Sequence, residues 1–153
     1  MEDGLLFEVE GKRLCLELKS VECVVEREKV FFVPGKRPPV EGIITHRGEM
    51  VAVVSLERIY GTGETGEARG TSGGNDEGPC TIVIAREGAR ALGLSVKRKR
   101  VSFLWKEDFE NMRFRAQPGR FSKGSIEFGG ILAEAIDCLA IYNEVSSILS
   151  QNS

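Results

Sequence analysis

The pattern with the most direct chemical meaning is Gly61-Thr62-Gly63-Glu64-Thr65-Gly66, which satisfies G-x-G-x-x-G and follows an apolar run. In a dinucleotide site such glycines bring the backbone up to a pyrophosphate at the start of a helix. Here the residues that follow, through Gly78, are glycine and polar with no apolar stripe, and Glu64 would repel a phosphate. The segment therefore reads as a flexible Gly-rich loop over 61–78, and no G-x-x-x-x-G-K-[ST] sequence occurs. A nucleophilic site needs a base held by a third group. The single histidine, His46 in Thr45-His46-Arg47-Gly48, has no orienting partner that the sequence identifies, so it reads as a strand-end or turn residue. Glu107, Asp108 and Glu110 lie among Lys106 and Arg113, as on a solvated face. Cys15, Cys23, Cys80 and Cys138 stand among apolar neighbours without C-x-x-C or zinc-ligand spacing, which is the pattern of core thiols. The expectation is no catalytic residue, no metal, no cofactor and no small-molecule substrate.

Lys97-Arg98-Lys99-Arg100, followed by Phe103 and Trp105, could hold phosphates while aromatic rings stack on bases. A single-stranded nucleic-acid-binding β-barrel is thus the alternative reading. Against it, the 153 residues carry a net charge of −2 and only 7% aromatic side chains. Residues 1–78 hold 10 basic and 15 acidic side chains, net −5, whereas 79–153 hold 11 and 8, net +3. Nucleic acid is disfavoured, and the asymmetry suggests two faces for two partners. No apolar run approaches the roughly 20 residues a membrane helix needs, and the acidic start at Met1-Glu2-Asp3-Gly4 is unlike a signal peptide. A cytoplasmic location without direct membrane insertion is expected.

The elements that would carry these residues are mainly strands. Leu5, Phe7 and Val9 alternate with Leu6, Glu8 and Glu10, and after Gly11-Lys12 the residues Leu14, Leu16 and Leu18 alternate in turn, a hairpin pattern. Val30–Val33 is a short β-rich run ended by the prolines of 34–39, Gly42–Ile44 is extended again, Arg47-Gly48-Glu49 forms a turn, and Met50–Leu56 is the strongest strand. Cys80–Ala85, the turn 86–89 and Arg90–Val96 make a second hairpin, and Val101–Trp105 adds a strand. The inward positions shift from 92, 94 and 96 to 101, 103 and 105, so a bulge or turn is expected at the basic cluster. Ile131–Leu149 is ambiguous, since Ile131, Ala135, Leu139 and Leu132, Ile136, Ala140 fit helical spacing while Leu139–Tyr142 also suits a strand; a helix over 143–151, capped by Asn143, is the firmer reading. Many short strands with Gly/Pro turns favour an all-β barrel architecture.

The segments Val21-Glu22-Cys23-Val24, Pro34 through Pro39, and Val40 through Leu56, in that order, resemble the CheW-like family of bacterial and archaeal chemotaxis coupling proteins. The family pattern of Val-x-Glu-Ile, a proline turn, Gly-Val-x-Asn-Leu-Arg-Gly and a strand ending in Val-Asp-Leu is matched at Val21, Val24, Pro34, Pro39, Gly42, Arg47, Gly48, Val54 and Leu56. Beyond the loop the likeness runs more loosely through Ile82-Val83-Ile84, Gly93-Leu94, Pro118 and a closing strand and helix around Leu139–Leu149.

The resemblance implies one CheW-like domain over 1–153: two SH3-like five-stranded β-barrels, at about 5–60 and 79–142, joined by the loop and closed by the short C-terminal helix. It further implies a non-enzymatic adaptor that couples the cytoplasmic tip of a chemoreceptor to the regulatory domain of a CheA-type histidine kinase. Partner-binding residues would then be Val21 and Val24 on the receptor-facing side, Gly42 and Gly48 where the backbone turns tightly, and Arg47 as a clasp on backbone carbonyls or a direct contact. The chain departs from the pattern at Cys23 for Glu, Thr45-His46 for Asn-Leu, Ser55 for Asp, and at Lys97–Arg100 where Asp is usual. These positions touch turns or contact surfaces, so partner choice is where divergence would show.

Overall fold

Tight hairpins set the architecture. The computed structural model describes residues 3–26, 39–60, 80–97, 101–104, 112–116 and 119–150. Strands β1 (Gly4–Val9) and β2 (Lys12–Glu17) meet with Val9 opposite Lys12 across the two-residue turn Glu10-Gly11, whose φ angles of 50° and 84° are both positive. That is the turn whose twist matches a right-handed hairpin. Next come a 3-10 turn at Leu18–Ser20, β3 (Val21–Glu26), β4 (Val40–His46), β5 (Glu49–Ser55) and a short helix α1 (Leu56–Tyr60). Strands β6 (Cys80–Glu87), β7 (Arg90–Lys97), β8 (Val101–Leu104), β9 (Arg113–Arg115), β10 (Ser122–Phe128) and β11 (Ile131–Ile136) lead to helix α2 (Cys138–Ser150).

The strands form a six-stranded sheet, β8-β1-β2-β11-β10-β9, and a five-stranded sheet, β3-β6-β7-β5-β4. The all-β class with a C-terminal helix is therefore correct, but the sheets do not coincide with the segments 5–60 and 79–142. The N-terminal hairpin joins the late strands through a parallel β2–β11 pair, and β6–β7 joins the early strands through a parallel β5–β7 pair. Periodicity reports which face of a strand is wet and carries no information about the neighbour it pairs with. The sixth strand, β9, had no signal of its own because all three of its residues are exposed.

Three apolar clusters account for the packing. Ile44, Val51, Val53, Ile82 and Ile84 fill the concave side of the five-stranded sheet, and Cys15, Leu104, Ile126, Phe128, Ala133 and Ala135 fill that of the six-stranded one. The largest cluster lies between them, where Phe7, Leu14, Leu16, Val54, Val83, Leu92, Leu94 and Val96 meet the apolar face of α2. Strand β6 contributes to two clusters, so both of its faces are buried and its sequence is continuously apolar instead of alternating.

Helix α2 starts earlier than 143. Asp137 is its cap: the Oδ1 atom accepts from the Ala140 amide at 3.2 Å, and Cys138, Ile141, Val145 and Ile148 lie buried at helical spacing. Asn143 is thus inside the helix, and Leu139 at 42% exposure belongs to neither a strand nor the core. In β8 the buried residue is Leu104, while Phe103 is exposed, because this edge strand pairs only with β1. The hairpin turn after β6 is shorter than 86–89, occupying Gly88-Ala89 alone. The glycine loop 61–78, the run Val30–Val33, Pro34, Pro38, Arg98–Arg100 and Trp105 fall outside the described residues.

Candidate docking site

Strands β4 and β5 are joined with His46 opposite Glu49. The two turn residues, Arg47 at φ 55° and Gly48 at φ 78°, both occupy the left-handed region. A β-carbon on Gly48 would touch nothing within 4 Å, so glycine is required there by backbone conformation and not by space. This turn projects the Arg47 side chain, 74% exposed, beyond the end of the sheet.

The first and last strands of the five-stranded sheet, β3 and β4, are its two edges, yet their side chains touch. His46 Nε2 lies 3.3 Å from Glu22 Oε2 and 3.6 Å from Cys23 Sγ, and Arg47 Nη1 lies 3.7 Å from Glu22 Oε2. The sheet therefore coils until its edges meet, an SH3-like arrangement whose seam is bridged at this end by side chains. From β6, Arg86 donates from Nε to Glu22 Oε1 at 2.5 Å and from Nη2 to Glu49 Oε1 at 2.7 Å. Four strands and the turn are thus tied to one carboxylate–guanidinium centre. Partly exposed pairs of this kind add little stability singly, but a forked guanidinium fixes geometry.

The Arg86 hydrogen bond holds the Glu22 carboxyl below its ordinary range, against the opposing effect of desolvation, with smaller help from His46. The two carboxylates keep the Arg86 guanidinium charged. Burial, then the Glu22 charge, pushes the Cys23 thiol up, so the Cys23–His46 contact holds a thiol and not an activated thiolate. Burial raises Cys15 to about 11 and Cys138 to about 12, in keeping with core thiols. Among the described residues no group of three or more His, Cys, Asp or Glu is placed to hold a metal ion.

Val21 opens β3 half-buried against the central cluster, and Val24 is 45% exposed on the same strand. Glu22 links this strand to Arg47 of the β4–β5 turn, with Val21 and Val24 to either side of it along β3. Gly42 does not join a turn: it lies within β4 where the register with β5 slips between Val40–Val54 and Gly42–Val53. Arg47 reaches a carboxylate and, among the described residues, clasps no backbone carbonyl. Sequence reasoning missed Glu49 and Arg86, and with them the role of Glu22. The contact partners are 37 and 64 positions apart, a separation that no local pattern reports. Likewise the partner that orients His46 is Glu22, from another strand. Ser55, standing where the family pattern has Asp, performs a capping role: its Oγ accepts from the Arg58 amide at 3.3 Å at the start of α1.

Two coiled, mainly antiparallel sheets sharing an apolar interface define a fold of the SH3-like class. The family model described as a CheW-like domain matches residues 3–146, and the chain belongs to that family. It is 26% identical over 143 residues to the chemotaxis protein CheW of Thermotoga maritima, covering 93% of this chain and 88% of that protein. Its fold is similar to that of the crystal structure of the scaffolding protein TtCheW from Thermoanaerobacter tengcongensis, with a TM-score of 0.65 at 18% identity and 88% of each chain covered.

Proposed function

We propose that this protein is a non-enzymatic adaptor of a chemotaxis-type signalling pathway, working in the cytoplasm and joining the tip of a chemoreceptor to the regulatory domain of a CheA-type histidine kinase. The observation that carries this reading is the family match across residues 3–146, beside a fixed, exposed surface of Val24, Arg47 and Gly48. An adaptor needs rigid docking geometry more than a reactive group. The Arg86 fork supplies that rigidity by setting β3 against the β4–β5 turn. No described helix is long and apolar enough to cross a membrane.

The test is calorimetric titration of the full chain with the regulatory domain of the cognate kinase and, separately, with a soluble receptor-tip fragment. Micromolar binding of both is expected, in keeping with small transient interfaces. Val24→Glu places a carboxylate on the docking surface and is expected to weaken receptor-tip binding by about tenfold or more, equivalent to about 1.4 kcal/mol. Binding of neither partner by the wild-type chain would overturn the adaptor reading. Unchanged receptor-tip affinity in Val24→Glu would move the site away from β3.

A further inference from the structure

A second surface lies at the opposite sheet and is not part of the docking end just described. Strand β9, Arg113-Phe114-Arg115, is the last strand of the six-stranded sheet: it pairs with β10 on one side, and no described residue pairs with the other. All three side chains are exposed, Phe114 at 50%. Strand alternation puts Arg113 and Arg115 on one face and Phe114 on the other. Phe114 stands opposite Ile126, whose side chain is fully buried, so the phenyl ring is on the core-facing side. There it lines, with Met112, Leu16, Ala135 and Ile136, a cavity of about 310 Å³.

We infer that the β9 edge, with the cavity under Phe114, binds an extended acidic segment of a partner protein by adding it as a further strand to the sheet. The open edge of β9 supplies main-chain donors and acceptors for such a strand. Arg113 and Arg115 then face alternate carboxylates, and the intervening side chain enters the cavity. Glu17, Glu87, Ser20 and Lys123 also line that cavity; its two carboxylates against one cation repel a further carboxylate, so the acidic side chains stay on the arginine face and an uncharged one enters the cavity. Glu127 stands opposite Arg113 in the β9–β10 register whereas Ser125 stands opposite Arg115, which makes Arg115 the less neutralised cation and the stronger anchor. The same cations beside an aromatic ring could serve a single-stranded nucleic acid. The β9 edge, which no described residue pairs, favours peptide, because a nucleic acid has no row of main-chain amides to add to a sheet.

The experiment uses a fluorescein-labelled peptide of alternating Glu and Val, its Lys/Val counterpart, an N-methylated Glu/Val peptide, and a labelled oligothymidylate, each titrated into the full chain and followed by anisotropy. Saturable binding of the Glu/Val peptide is expected, with at least tenfold weaker binding of the N-methylated and Lys/Val peptides. The Arg113→Glu/Arg115→Glu variant is expected to lose at least tenfold, with Arg115→Glu alone carrying the larger part. Thermal melting verifies that each variant is folded. Phe114→Ser, which keeps both cations, is expected to weaken the peptide while leaving its salt dependence unchanged. Absence of saturable Glu/Val binding, equal binding of the Lys/Val peptide, or oligothymidylate binding that is tighter and lost in the same variants would each overturn the proposal. Receptor-tip binding is read separately, through Val24→Glu on β3, and kinase binding by titration with the regulatory domain, so failure here is distinguishable from failure of the adaptor reading.

Discussion

Arg86 is the residue on which the charged end of the five-stranded sheet depends, because it satisfies two carboxylates from strands that are not neighbours of one another. Its replacement by methionine leaves Glu22 and Glu49 without their shared cation, and a lower melting temperature at neutral pH is expected. The acid side follows from the direction of the Glu22 shift. A carboxyl whose folded value lies below the ordinary 4.5 contributes stability above that pH and loses it as the pH falls through the folded value. Urea midpoints measured from about pH 7 to about pH 3 are therefore expected to drop in wild type below about pH 4.5, and in Arg86→Met, where Glu22 loses the hydrogen bond that lowers it, to drop less over the same range. Coincident acid profiles for the two proteins would remove Arg86 as the cause. Val24, Arg47 and Gly48 are singled out by the family resemblance because they lie in contiguous motifs. Glu22 and Arg86 are not, since an ion pair between remote strands leaves no periodic trace.

At the scale of the element, the strands announce themselves by alternation where one face is wet and lose it where both are dry. The β1 hairpin was readable for the first reason, and β6 could be located but not oriented for the second. Gly93 shows how closely the buried strands approach. A β-carbon there would stand 3.2 Å from both Ile82 Cγ2 and Val53 Cγ2, inside the five-stranded sheet's own core. Gly93→Val is expected to destabilise by about 1–3 kcal/mol through overpacking, read as a lower urea midpoint at unchanged slope. Helix α2 depends on a single side-chain cap. Asp137→Ala is expected to cost about 1 kcal/mol and to raise amide exchange through the first turn, notably at Ala140. The boundary at 138 was missed because Asn143 resembles a cap in isolation. Asp137 is one because the chain leaves β11 at Ile136 and must turn there.

Over the whole molecule, the two sheets exchange strands across the chain's midpoint, so neither half contains a complete sheet. Tyr60 reinforces the link by donating its hydroxyl to the Phe121 carbonyl at 2.6 Å, 61 positions away. One cooperative unfolding transition is expected by calorimetry, and fragments 1–78 and 79–153 are each expected to show no dispersed amide spectrum until mixed. Two separate transitions, or a folded 1–78 fragment, would contradict the interleaving. The sequence by itself determined the all-β class, the β1–β2 and β6–β7 hairpins, the apolar strand β5, the family and the residues of the β4–β5 turn, because each is written in local spacing or in a contiguous motif. Only the tertiary structure decided which strands pair in parallel, that the edges of the five-stranded sheet meet at Glu22 and His46, and that β9, with one edge unpaired among the described residues, lies beside a cavity. Those features arise from contacts between residues tens of positions apart, whose energies depend on coiling and burial and not on the order of neighbouring side chains.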